Sequence, residues 1–494
     1  MVKALHATAI AVALAVAAVP AAHAATRTWQ GDVSTSWNVA GNWAENAIPA
    51  NGDDLVFPDN PTSRDSNNDI AGLSIASVAV TTTNSGADYN FTGNAITLTG
   101  PVTFTNAGSG SSGTPNWSIP LTLGAPITVT SDGRVSNVVA AIGLGANTLT
   151  VAGNGDLVLS GAVSGAGGID KNSAGSLRLA GSNTYGGATA VNAGTLYAAS
   201  ATALGSNATG TTFANGTNLG LAGGPFTLTE PLTFVGPVNG IYAYENVNLA
   251  GGIAFSGTLT YSAFGPGSIS GAGLSGSGTF VKSGIDTLST VGNWPAFTGQ
   301  FNVVAGAFSP TNTTFPAAVN LLAPAALYGY GTTGLLTITG GTFAPGIGSN
   351  QFFRPAGLAS SGGQHNLNLA PGTGGTDYDQ IQVTGPVALG GTTLVVTSVG
   401  PLPLGGVYTI IDNDGADAVA GTYAGYAEGA AFQQGSNWFR IGYAGGSGND
   451  VVLTVIAEPA PPPAGPAAPV PGPGSVALVL GALALLLATR RRLH

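Results

Sequence analysis

A chain of 494 residues with only 7% charged side chains departs far from ordinary soluble proteins, in which roughly 25% of residues carry charge. Setting aside Lys3 and the three C-terminal arginines leaves 8 basic against 22 acidic residues, so no basic stripe can hold a phosphate backbone and nucleic-acid binding is excluded. The absence of cysteine excludes disulfides and thiolate chemistry, although not export.

Residues 1–24 read as an export signal. Lys3 supplies the positive start, "TAIAVALAVAAV" the apolar core, and Ala22 and Ala24 the small residues before cleavage. The alternative is a buried or anchoring helix. Export implies the Sec machinery as a partner. Residues 25–70 form an N-terminal cap segment, with Trp29, Trp37 and Trp43 grouped to cover the open end of the structure that follows. Those rings could instead stack on a sugar.

From residue 71 to 340 short apolar runs alternate with Thr, Ser and Asn and turn on Gly, Asn or Asp, as in "LSIASVAV", "PITVT" and "GDLVLSG". A hydrophobic fraction of 44% arranged this way argues against disorder. Glu, Lys, Gln and Met are scarce, which favours strands over helices. Leu157, Leu177 and Leu196 recur at intervals of 20 and 19 residues. Leu288 and Phe308 repeat the interval. A period near 20 with short strands predicts an all-β fold, a right-handed parallel β-helix (solenoid) with N-terminal and C-terminal caps, in which Leu stacks on Leu and Val on Val.

The stretch from Ser164 to Ser200 carries Lys171, Gly175, Leu177, Leu179, Gly181, Asn183, Tyr185, Gly187, Thr189, Val191, Gly194 and Leu196. It resembles the autotransporter-associated β-strand repeat, also called the passenger-associated transport repeat, over residues 164–200. A worn second copy occupies 275–308, with Lys282 in the place of Lys171, Phe297 in that of Tyr185 and Gly306 in that of Gly194. The resemblance implies a β-helical surface protein of a Gram-negative bacterium.

Residues 341–457 read as the last coils and a cap, opened by a turn-rich break at "GTFAPGIGSN". Residues 458–474 form a proline-rich extended linker. Residues 475–494 combine an apolar segment with Arg490, Arg491 and Arg492, behind Pro471, Gly472 and Pro473. The apolar segment, 476–489, is short for an independent membrane span. Alternating strands with aromatic girdles, as a membrane barrel needs, are missing. This tail resembles the PEP-CTERM sorting signals, with glycine where their motif has glutamate. That resemblance implies inner-membrane contact through 476–489 and cleavage by an exosortase-like enzyme; a permanent tail anchor is the alternative.

Catalytic chemistry finds few candidates. His365, beside "GGQ", reads as a solvated loop residue. Asp53 with Asp54, and Asp377 with Asp379 on one strand face, are the close carboxylate pairs that glycoside cleavage would need. Basic partners are lacking, since Lys282 is the one basic residue between Leu179 and Phe353. No cofactor is expected. Calcium is a weak candidate at Asp412, Asp414 and Asp417, which resemble the start of a calcium loop, and at Asp450 in "GGSGNDVVL". Turn chemistry, with Asp and Asn bonding their own backbone, is the favoured account of both stretches. The reading is therefore a non-enzymatic adhesive or structural rod of the cell surface or biofilm matrix. Its uncharged faces would contact extracellular polysaccharide or neighbouring surface proteins. The rival is a secreted polysaccharide hydrolase or lyase on the same fold.

Overall fold

A computed structural model describes residues 25–82, 88–106, 114–133, 135–346, 352–398, 400–414 and 417–460. Ala22 and Ala24, and the tail residues Pro471, Gly472, Pro473, Arg490, Arg491 and Arg492, lie outside the described residues. Alternation decides the local structure. In Ser77–Thr81 the side chains of Val78 and Val80 are buried, while Ser77, Ala79 and Thr81 are half-buried on the other side. The same inward and outward parity recurs in Leu121–Leu123, Leu157–Leu159 and Ile253–Phe255, as a strand with one face on a core requires.

These strands stack in parallel as a three-faced solenoid. One sheet has twelve parallel strands, from Thr26–Thr28 to Leu274–Ser275. A second has five, from Leu73–Ile75 to Val163–Ser164. The remaining strands join into one long third sheet. A single 3-10 turn at Ala40–Asn42 is the one helical element among the described residues.

The register builds continuous inward columns. Leu157, Leu177, Leu196, Leu219 and Ile241 lie opposite one another in successive coils. Leu288 lies opposite Phe308. On another face Val129, Val151, Lys171, Val191 and Phe213 form a column. Each coil thus buries its apolar side chains against the coils before and after it.

At the N-terminal end Trp29, Trp37 and Trp43 are buried. Trp43 meets Trp29 at 5.1 Å and Trp37 at 5.9 Å, both edge to face, and all three surround Phe57. Trp29 Nε1 donates to the Ser63 carbonyl, Trp37 Nε1 to Ser66 Oγ, and Trp43 Nε1 to the Trp37 carbonyl. Rings committed in this way are unavailable to stack on a sugar.

One expectation needs correction here. The supposed break after Gly341 begins with a strand, Thr342–Pro345, in register with Ala326–Gly329. Phe343 faces the core there, so burial wins over the local turn residues; residues 347–351 lie outside the described residues. The expected C-terminal cap takes the form of reversed strands. Ala431–Gln434 and Asn437–Gly445 form an antiparallel hairpin. Asp450–Ile456 runs antiparallel to both Asn437–Gly445 and Val407–Asn413. Such reversal pairs strand groups that a further coil would otherwise have to meet.

Candidate functional site

The repeat motif is a backbone-binding device. Ile169 and Lys171 share the inward parity of strand Ile169–Lys171, so the Lys171 side chain enters the core, fully buried. Its Nζ donates to the carbonyls of Ser173, Gly175 and Ala193, each at 2.7 Å. Three donors meet three acceptors, and two coils are tied at one corner. Burial pushes the amine down to about 8, with nearby Asp156 working the other way. Gly194 adopts φ +66°, and a Cβ there would sit 2.4 Å from the Gly175 carbonyl oxygen and 2.7 Å from Lys171 Nζ. Both the conformation and the close approach require glycine.

The second copy repeats this geometry. Lys282 is fully buried, and its Nζ donates to the Ser283 carbonyl at 2.8 Å and the Ala305 carbonyl at 3.0 Å. Gly306 has φ +64°, and its Cβ would lie 2.9 Å from that Nζ. Burial again lowers the amine to about 8, opposed by Asp286.

Other motif residues span coils. Asn183 accepts from the Val163 amide at 2.8 Å and donates to the Ala203 carbonyl at 2.6 Å, so one side chain links three coils. Buried Tyr185 pairs its hydroxyl with Thr189 Oγ1 at 2.7 Å. Leu177, Leu179, Val191 and Leu196 are all buried. Gly175 and Gly181 lie where a Cβ would come within 2.2 Å of a carbonyl oxygen of the preceding coil.

The position of His365 reverses the sequence reading. It is fully buried in strand Gln364–Leu369, not solvated in a loop. Its Nδ1 lies 2.9 Å from the Tyr423 hydroxyl and its Nε2 3.2 Å from Ser360 Oγ. Ser360 in turn contacts Thr392 Oγ1 at 2.6 Å. Burial holds the imidazole down to about 3, so it is neutral at pH 7. Its parity with inward Leu367 and Leu369 outweighs the loop-like "GGQ" before it.

The carboxylate pairs are dispersed into structural roles. Asp53 accepts from Arg27 Nε at 2.7 Å and from the amides of Ala25 and Ala50. Asp54 accepts from Ser77 Oγ. Asp377 and Asp379 do not share a strand face. Asp377 sits in a turn and caps the Thr373 amide at 2.6 Å. Asp379 is buried on the Asn368 amide and side chain, at 2.8 and 2.9 Å. Burial raises its carboxyl to about 6.

Among the calcium candidates, Asp450 accepts from the Asn413 amide at 2.9 Å and the Ser447 amide at 3.0 Å, which is turn chemistry. Asp412 accepts from Gln382 Nε2 at 3.2 Å. The Asp417 backbone carbonyl accepts from Asn413 and Asn449, and the Asp414 side chain is exposed. Among the described residues no three His, Asp or Glu side chains gather as a metal would require.

One buried acid escapes sequence reasoning. Glu230 is buried, takes one hydrogen bond at 3.2 Å from Thr211 Oγ1, and leaves Oε2 without a partner. Burial pushes it up to about 7. Its one signal in the sequence is a carboxylate set between Leu228 and Leu232, which both face inward.

The outer face carries polar ladders, mostly of asparagine. Asp65, Asn90, Asn116 and Asn137 occupy one outward column. Asn90 donates to Asp65 at 2.9 Å, Asn116 to Asn90 at 3.4 Å and Asn137 to Asn116 at 3.2 Å. Asn172 with Asn192 and Asn302 with Asn320 repeat the contact at 2.7 and 2.8 Å.

Comparison with known proteins fits this geometry. Residues 169–198 match the passenger-associated-transport-repeat family. A curated relative, the adhesin BmaC autotransporter of Brucella suis biovar 1 (strain 1330), is 29% identical over 313 residues, 58% of this chain. The match covers 9% of that relative's own length. The crystal structure of the Haemophilus influenzae Hap adhesin aligns over 82% of this chain and 63% of that one, at 10% identity and a TM-score of 0.33. The fold rests on the strand register itself. The chain thus holds a passenger-associated transport repeat within a parallel β-solenoid.

Proposed function

We propose that this chain is an exported adhesive rod on the surface of a Gram-negative bacterium, structural rather than catalytic. The observation that carries the reading is the outer face. Asn, Thr and Ser ladders present hydrogen-bonding groups coil after coil, with few charges to make contact depend on salt. The likeness to a Brucella protein named as an adhesin supports the same reading. A catalytic role draws no support from the carboxylates at Asp53, Asp54, Asp377 and Asp379, which serve backbone and side-chain hydrogen bonds. Within this proposal the C-terminal segment is a sorting signal. It is cut near Pro471–Pro473 by an exosortase-like enzyme after Sec export.

The test is attachment. Beads coated with the full chain are scored for adhesion to the producer's matrix and to abiotic and cellular surfaces, beside a deletion strain in the same assay. Coated beads should adhere above uncoated ones, and the deletion strain should attach less. Unchanged attachment in both arms would overturn the reading. C-terminal peptide mass spectrometry on surface fractions checks the tail, and a product that keeps Arg490–Arg492 there refutes the processing step.

A further inference from the structure

We propose that one corner of the solenoid, built from Tyr244, Phe264 and Ile285, is a binding ridge for a neutral polysaccharide chain; this inference rests on the adhesive reading. Strands Val238–Ala243 and Thr258–Ala263 pair with Ala243 opposite Ala263, so Tyr244 and Phe264 leave the sheet at the same corner of successive coils. Ile285 follows Ser283 at that corner of the next coil. The three side chains are 45%, 49% and 84% exposed, where the inward side chains beside them are buried. The Tyr244 and Phe264 rings are stacked, with centroids 5.4 Å apart and planes 14° from parallel.

Both flanks of the ridge carry polar side chains. On one side Tyr197, Gly220 and Tyr242 share an outward column. A Cβ on Gly220 would lie 2.2 Å from the Tyr197 ring, so that ring lies down on the next coil's backbone. On the other side are two recesses of ≈ 290 and ≈ 320 Å³, both lined by Asn248. Its Oδ1 accepts from Ser268 and Ser270 at 3.1 and 2.9 Å, which leaves its amide donors to face a ligand.

The occupant follows from shape and charge. Coils repeat every ~4.8 Å, close to the length one hexose adds to an extended glycan. Aromatic faces take the C–H faces of sugar rings, while hydroxyl and amide groups beside them take the sugar hydroxyls. Acidic glycans meet few cations, since the nearest outward one in the flanking column, Arg178, lies three coils before Tyr242. Lys282 is the one basic residue between Leu179 and Phe353, and it is buried. Glu245 and Asp286 at the corner would repel a polyanion. A second protein copy is a poor match, because a ridge one side chain wide falls far short of the ~800 Å² per partner that stable protein pairs bury.

The experiment is affinity electrophoresis of the full chain through gels holding a soluble β-glucan, galactomannan, dextran or polygalacturonate. The Tyr244→Ala/Phe264→Ala variant runs alongside, its fold checked by circular dichroism and melting. The wild type should be retarded by at least one neutral glycan and not by polygalacturonate, and the variant should lose roughly tenfold in affinity. Equal retardation of the variant, or no retardation of the wild type by any neutral glycan, overturns the inference. So does self-association in sedimentation that the double substitution abolishes. Beads that adhere without glycan retardation sink this inference and leave the adhesive reading standing. Retardation that the variant loses, on beads that fail to adhere, does the reverse.

Discussion

Replacing Lys171 with methionine should destabilise the solenoid and change how its stability responds to alkali. Methionine fills a similar volume but leaves the carbonyls of Ser173, Gly175 and Ala193 without the donor that now serves all three. Each buried acceptor left alone costs about 1–3 kcal/mol. Against that stands the burial of the ammonium. Its fall from 10.5 to about 8 corresponds to roughly 3 kcal/mol held against the charged form. The net expectation at pH 7 is a loss of about 3 kcal/mol, in the range for removing one partner of a buried charged contact. The pH response separates this account from simple packing. The folded chain releases the Lys171 proton near pH 8, while the unfolded chain holds it to about 10.5. Stability from this group is therefore fully present above the unfolded value and is lost as pH falls through 8. Between pH 8 and 9.5 the wild type should gain roughly 1.5 kcal/mol per lysine, from Lys171 and Lys282 alike. The window stops there because Tyr89, Tyr185, Tyr261 and Tyr423, all pushed upward by burial, begin to oppose the gain once unfolded tyrosine ionises near 10. Urea midpoints at pH 8.0 and 9.5 for wild type, Lys171→Met, Lys282→Met and the double variant measure it. Each single substitution should remove half of the alkaline gain, and the two should add because the sites are several coils apart. A wild type with no gain, or a double variant that keeps it, refutes the caged-lysine account.

Glu230→Gln should act in the opposite direction. The folded carboxyl stays protonated up to about 7 against 4.5 unfolded, so its stability is complete below pH 4.5 and is lost as pH rises through 7. The variant should match wild type in melting at pH 4.5 and exceed it by up to roughly 3 kcal/mol at pH 8; equal melting at pH 8 refutes this. The His365 imidazole, held to about 3 when folded, should show no titration by NMR between pH 8 and 5, and a transition near 6.5 would place it in solvent. Trp43→Ala should cost about 3–5 kcal/mol, seen as faster amide exchange in Thr26–Phe57 and little change beyond the next few coils; uniform acceleration along the chain would contradict nearest-neighbour stacking.

The solenoid was legible because two periods coincide: apolar residues every second position, and whole coils every 20 or so. Parity also held information that composition hid. Ile169 and Lys171 lie two apart, as do Phe280 and Lys282, so each lysine belongs on the buried side. The same count from Leu369 and Leu367 places His365 inside. In each case the polarity of the side chain argued for solvent, and local alternation was the better guide because the strand cannot rotate one residue without rotating all. The antiparallel end was signalled as well. "QGSN" leaves two residues, Gly435 and Ser436, between Ala431–Gln434 and Asn437–Gly445, too short for a coil and right for a hairpin; Gly435 has φ +60°. The exposed corner at Tyr244, Phe264 and Ile285 was hidden, because these residues become neighbours only once three coils are stacked.

The two repeat copies show how such a rod is assembled. Lys171 lies in the column with Val151 and Val191, on the face that begins with Thr26–Thr28. Lys282 lies in the column with Tyr261 and Val303, and that column descends through Ile241 and Leu219 to Leu196. Leu196 belongs to the next face of the first copy. The second copy has therefore moved round the solenoid by one face, yet it keeps its lysine cage, its left-handed glycine and its buried aromatic residue. A motif tied to one face by a ligand or partner could not move in this way. What the motif recognises is the turn of its own backbone and the coil above it, which every face offers. The conserved geometry thus serves the strength of the rod, and the outward side chains between the cages are left free to differ from corner to corner.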